Sequence, residues 1–186
     1  MSEADTLLER PPVRRVREAL VAAGLPDTVI ALEESARTAA DAAAALGCPE
    51  GAIVKSLVFA IDTRFVMGLI AGDHQCVQDE LPRTLNIAGN CRRPQATEVK
   101  AITGFTIGGV APIGLNHPLP TAIDISLKRF ETVYAAAGHP NCIFSIAPMA
   151  LVTATGGLLS YAISSPMEGV EPHVPAVRRS RTFQKT

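Results

Sequence analysis

Ala52-Ile-Val-Lys-Ser-Leu-Val-Phe-Ala-Ile-Asp62 has the β-branched and aromatic content of a covered β-strand. Side chains alternate faces along a strand, so Ile53, Lys55, Leu57, Phe59 and Ile61 share one side of the sheet. A lysine therefore sits among large apolar groups, where an unpaired ammonium is unfavourable. Two readings follow. Either the strand opens on a cleft that receives an anion, or Lys55 snorkels to solvent at a sheet edge. Asp62-Thr63-Arg64 then reads as a turn and Phe65 to Ala71 as a second strand, which together make a hairpin.

Upstream of this hairpin, Pro11-Pro12 opens a helix over residues 12–24 whose stripe is Val13, Val16, Leu20 and Val21. Thr28 to Leu32 reads as a short strand. Thr38-Ala-Ala-Asp41 has the form of a capping box, and the alanine-rich helix that it starts stops at Gly47. Downstream, Val77 to Ala88 and Thr97 to Ile102 are predicted helical, joined by a connector through Arg92-Arg93-Pro94. Residues 104–118 are too rich in glycine and proline for regular structure. Thr121 to Ile125, Thr132 to Ala136 and Ile143 to Ile146 read as strands, and Pro148 to Thr153 as a helical turn. Strands adjoin strands, which predicts an α+β domain with a mostly antiparallel or mixed sheet. One domain over residues 1–165 and a loose basic tail over 166–186 account for the chain.

With 186 residues, 47% of them hydrophobic, the chain can bury a full core and is not disordered through its body. No apolar run reaches the ~18–20 residues of a membrane span, and the acidic N-terminus is unlike a signal peptide. These features give a cytoplasmic protein that is not inserted in a membrane. Cys48, Cys76, Cys91 and Cys142 form no CxxC pair, and His74 with Cys76 lacks further ligands, so neither a metal nor a cofactor is expected. The net charge of −1 gives no global field for nucleic acid. Eight of the 17 basic residues nevertheless cluster at the ends (Arg10, Arg14, Arg15 and Arg17; Arg178, Arg179, Arg181 and Lys185). They are either a solvated helix and tail or an auxiliary phosphate-contacting surface.

Four features could carry chemistry. Lys55 is the first. The loop Gly108-Gly-Val-Ala-Pro112 is the second: adjacent glycines let backbone N–H groups approach a phosphate or an oxyanion, although it is not a P-loop. Gly138-His139-Pro140 is the third, a constrained turn whose histidine could bond a substrate. Asp124 is the fourth; it either pairs with Lys55 or faces solvent. No Gly-x-Ser-x-Gly elbow, dinucleotide fingerprint or carboxylate pair is present. Hydrolysis here would rest on positioned water and backbone donors.

Thr38 to Ala43 with Leu46-Gly47, Ile53 to Phe59, Gly104 with Gly108 to Gly114, Ile123-Asp124 and Gly138-His139-Pro140 come in one order. That order resembles the YbaK/prolyl-tRNA synthetase editing-domain family, also called the INS-like or ProX superfamily, over roughly residues 28–165. The resemblance implies a compact, distorted mixed β-sheet or barrel flanked by helices. It implies a free-standing hydrolase that deacylates mischarged aminoacyl-tRNA at the acceptor end, with a synthetase as a possible partner. A synthetase pocket rejects a smaller or similar amino acid poorly, so a second site must clear the error. By motif match, Lys55, Gly108, Gly109 and His139 are the catalytic candidates. Ser56, Val110, Ala111, Pro112, Asp124, Gly138 and Pro140 are the substrate-binding ones. The substrate's ribose 2′-hydroxyl is implied to assist. Ser56 and Gly138-His-Pro-Asn141 stand where the family varies, which leaves the amino acid open. The rival reading is a non-catalytic module that binds an aminoacylated or nucleotide ligand on the same fold.

Overall fold

The computed structural model describes residues 3–33, 36 and 38–170. Its centre is the hairpin anticipated above, β2 (Ile53–Ile61) and β3 (Arg64–Ala71), which pair antiparallel from Val54↔Ala71 to Ile61↔Arg64 around a two-residue turn. Around it lie β1 (Ile30–Ala31), β4 (His74–Cys76), β5 (Cys91–Arg92), β6 (Thr121–Asp124), β7 (Val133–Ala136), β8 (Cys142–Ile146), β9 (Leu158–Ser160) and β10 (Ser164–Pro166). The main sheet runs β1-β8-β7-β2-β3-β6-β9, with β5 added to β2, while β10 and β4 form a separate ribbon. β2/β7, β3/β6 and β6/β9 are parallel and the other pairs antiparallel, so this is the mixed sheet expected.

The helices are α1 (Glu3–Leu8), α2 (Pro11–Ala22), α3 (Ala39–Leu46), α4 (Leu81–Leu85), α5 (Ala96–Thr103) and α6 (Pro148–Thr155). In α2, Val13, Val16 and Leu20 are buried but Val21 is exposed. α3 begins with the full capping box: Asp41 N–H donates to Thr38 Oγ1 at 3.1 Å, and Thr38 N–H donates to Asp41 Oδ2 at 3.1 Å. The helix expected over Val77 to Ala88 is shorter, because Pro82 lacks an N–H and is tolerated only in a first turn. A 3-10 turn, Gln78–Glu80, comes first, α4 starts at Leu81, and Asn86 ends it.

Three apolar clusters hold these layers together. The largest joins Val54, Val58, Met67 and Leu69 to Phe105, Phe144 and the α2 stripe. A second gathers Phe59, Ile61, Val66 and Ile70 on the other face of the hairpin, and a third packs Ala42 and Ala43 of α3 on Ile53 and Ile143. Strand alternation along β2 is thus as read. The C-terminal boundary differs: β10 pairs with β4 and Met167 N–H donates to Asp73 O, so the chain stays attached past residue 166. Residues 171–186 of the expected tail lie outside the described residues. Among the described residues no helix is long and apolar enough to cross a membrane.

Candidate functional site

β2 meets β7 only at Ile53 and Val54 and meets β5 only at Ala60 and Ile61, so its edge is open between them. In an antiparallel pair successive residues direct their main-chain groups to opposite sides. Asp62 N–H reaches Asn90 O on the β5 side at 3.0 Å, which places the groups of Ser56 and Val58 on the open edge. A cleft of about 550 Å³ lies along this gap. Because it lies beside an edge, it is reached from both faces, and Lys55, Ser56, Leu57 and Val58 all line it. α3 contributes Ala39 and Ala42 to one wall, and the glycine-rich loop contributes Ile107, Gly108 and Val110 to another.

Lys55 does not pair with Asp124. Its Nζ donates to Gly72 O at 3.3 Å and to His74 O, and it lies 3.9 Å from Met167 Sδ. Burial lowers its pKa, opposed by the charges of Glu50, Asp73 and Asp124. Asp124 itself is fully buried rather than solvent-facing. It accepts from Ala71 N–H at 3.1 Å and caps the turn Ile125–Arg129 by accepting from Ser126 N–H at 2.8 Å. It is not on the cleft wall.

The glycine-rich loop and the Gly138-His139 turn touch backbone to backbone. A Cβ on Gly109 would come within 2.9 Å of His139 N, so the contact requires glycine there. Gly109 N–H is taken by Thr106 O at 2.9 Å. Gly108, at φ +94°, and Val110 line the cleft, and among the described residues neither donates its N–H to a protein acceptor. Ala111 and Pro112, at the end of the loop, are buried off the cleft wall, and Gly138 is buried against Pro12 and Phe105. Pro140 reaches the cleft wall but His139 does not. His139 Nδ1 accepts from Asn141 N–H at 3.1 Å, and burial, with Arg10 nearby, lowers its pKa. The neutral ring therefore carries its proton on Nε2.

Arg15, one of the basic residues of α2, is neither a free surface charge nor a free phosphate contact. Its guanidinium donates to Gly114 O at 2.6 Å and Asn116 Oδ1 at 2.9 Å, and stacks 4.5 Å from the Phe105 ring centroid. It braces the glycine-rich loop from beneath.

The cleft thus unites Lys55, Ser56, Gly108, Val110 and Pro140, and adds residues the sequence did not single out. Arg93, which lies 4.9 Å over the Phe59 ring centroid, is the second cation on the wall. Tyr134, Glu50 and Met167 also line it. The paired arginines before Pro94 were the only local signal for Arg93; the others depend on strand pairing. Cys142 lines the wall as well, with its thiol pushed up by burial. Among the described residues no group of three His, Cys, Asp or Glu side chains could hold a metal.

Known proteins share the sequence and fold of this chain. YwhH of Bacillus subtilis, an uncharacterized protein, is 34% identical over 124 residues, 66% of this chain and 78% of its own. EbsC of Enterococcus faecalis, named as a candidate Cys-tRNA(Pro)/Cys-tRNA(Cys) deacylase, is 27% identical over 68% of this chain and 77% of its own. A crystal structure described as a candidate trans-editing enzyme for prolyl-tRNA synthetase superposes with a TM-score of 0.76 at 38% identity, covering 81% of this chain and 96% of that one. Residues 33–154 match the aminoacyl-tRNA editing domain, and the chain belongs to that family.

Proposed function

We propose that this protein is a deacylase that hydrolyses the ester between a wrong amino acid and the terminal ribose of tRNA. The observation that carries the reading is Lys55, held by two backbone carbonyls in a cleft between a strand edge and a loop in which, among the described residues, two N–H groups are unengaged. Lys55 and Arg93 suit the phosphate of a terminal nucleotide. The main-chain groups of Ser56 and Val58 suit the aminoacyl group, and the Ala39, Ala42 and Val54 lining suits a small uncharged side chain. Among the described residues Ser56 Oγ is buried without a hydrogen-bond partner, which suits it to contact that group.

Neither Cys142, with its raised thiol pKa, nor Ser56, which has no bonded base among the described residues, is an activated nucleophile. Water therefore attacks the ester carbonyl carbon. The N–H groups of Gly108 and Val110 receive the developing oxyanion, and the ribose 3′-oxygen leaves with a proton. The neighbouring 2′-hydroxyl relays that proton from the attacking water to the leaving oxygen. His139 acts from behind the loop, by supporting the backbone of Gly109. Donors aimed at an oxyanion are worth roughly 10²–10³-fold in kcat each.

The test is release of amino acid from a panel of mischarged tRNAs, starting with proline tRNA carrying alanine, cysteine or serine. Lys55→Ala should slow release by about 10²-fold or more while the protein stays folded. Release no faster than the uncatalysed rate across the panel refutes the reading. Saturable binding of an uncleavable aminoacyl-adenosine without turnover would instead indicate a binding module.

A further inference from the structure

A charged cluster stands behind Lys55 and has no part in the chemistry above. Asp73, 3% exposed, receives the Arg129 guanidinium through both oxygens, at 2.7 and 2.9 Å. His74 Nδ1 lies 2.7 Å from Asp73 Oδ1. Arg129 also donates from Nε to Ser126 O at 2.7 Å and lies 5.0 Å from the Phe130 ring centroid. Asp73 and His74 belong to the segment that holds Lys55, and Arg129 reaches it from the turn Ile125–Arg129: the carbonyls of Gly72 and His74, either side of Asp73, receive the Lys55 ammonium.

The turn over residues 72–74 has little room to move. A Cβ on Gly72 would fall 2.1 Å from Glu50 O, and one on Gly51 would fall 2.7 Å from Asp73 Oδ2 and 2.8 Å from Arg129 Nη2. Met167 N–H closes the far side by donating to Asp73 O at 3.0 Å. A buried ion pair adds little net stability over apolar packing, but a bidentate guanidinium–carboxylate pair fixes direction closely. A lysine side chain, by contrast, has four rotatable carbons and no fixed direction of its own.

We propose that Asp73 and Arg129 are positioning residues for Lys55: their pair locks the turn over residues 72–74 so that its carbonyls aim the ammonium into the cleft. The effect on turnover rests on the deacylase reading; the effect on Lys55 itself does not. Asp73→Asn removes the charge without changing the shape, and Arg129→Lys keeps the charge but loses the fork.

The direct readout is the rate at which a small acetylating reagent labels Lys55, measured by peptide mass spectrometry against exposed Lys100 in the same sample. Both variants should raise Lys55 labelling several-fold while circular dichroism remains native. In deacylation, Asp73→Asn should lower kcat about tenfold or more, and should add no loss in a Lys55→Ala background. Unchanged labelling in a folded variant overturns the proposal, as does a loss that multiplies with that of Lys55→Ala. If neither variant folds, NMR of the wild-type Lys55 ε-methylene decides: inequivalent, immobile protons support the proposal and an averaged signal overturns it. Raised labelling in a protein that releases nothing from any mischarged tRNA upholds the positioning role and refutes the deacylase.

Discussion

Among the described residues Lys55 is held by neutral carbonyls, not by a carboxylate in direct contact, and this sets what it can do. A bonded acid would cancel its field, whereas carbonyl dipoles orient the ammonium and leave net positive charge for an incoming anion. Asp124, the acid that might have cancelled it, has both oxygens occupied by backbone N–H groups. His139 offers a separate test at this scale. Burial, with Arg10 nearby, depresses its folded-state pKa below the ordinary 6.5. Between those two values the unfolded chain binds a proton that the native state lacks, so this group's contribution to stability falls as pH drops through about 6.5 and levels off below the folded pKa. His139→Gln should therefore show a flatter dependence of melting temperature on pH between about 7.5 and 5 than wild type. Equal slopes would mean that the ring is not held neutral by its site.

Among the elements, two connections matter most to the cleft. The loop carrying Gly108 rests on the Gly138-His139 turn above α2, and Arg15 ties it down through Gly114 and Asn116. Gly109→Ala would place a methyl group 2.9 Å from the His139 nitrogen and push loop and turn apart. A shift of about 1 Å at a reacting centre can cost up to about 10²-fold. Gly109→Ala should thus lower deacylation by more than tenfold with a modest loss of stability, as read by single-turnover kinetics beside thermal melting. Wild-type kinetics in this variant would detach the loop from the chemistry. The second connection is the capping box of α3: Thr38 fixes where the helix starts, and Ala39 and Ala42 of its first turns form the cleft wall. A cap of this kind contributes about 1 kcal/mol.

For the whole molecule, a net charge of −1 means that a polyanion must be drawn by local charge. Residues 171–186 carry Arg178, Arg179, Arg181 and Lys185, four of the 17 basic residues. Deleting residues 171–186 should weaken tRNA binding and reduce the slope of log K against log salt by about 3, with little effect on kcat. An unaltered salt slope would leave these residues without a role in binding. Local order was legible in the chain: the hairpin, the α3 capping box and the place of Lys55 on an apolar face each depend on residues within a few positions of one another. Spacing also marked Gly108 and the Gly138-His139-Pro140 turn. Three details were beyond it: that Gly109 touches His139, that Arg93 shares the wall with Lys55, and that Met167 reaches the site. β4, β5, β9 and β10, each of two or three residues, are too short to show a period and exist only because partners pair with them. The sequence by itself determined that a lysine would sit on a buried strand. Only the tertiary structure decided what would hold it, because the carbonyls of Gly72 and His74 and the sulfur of Met167 lie 17, 19 and 112 residues away, and are brought to Lys55 by strand pairing.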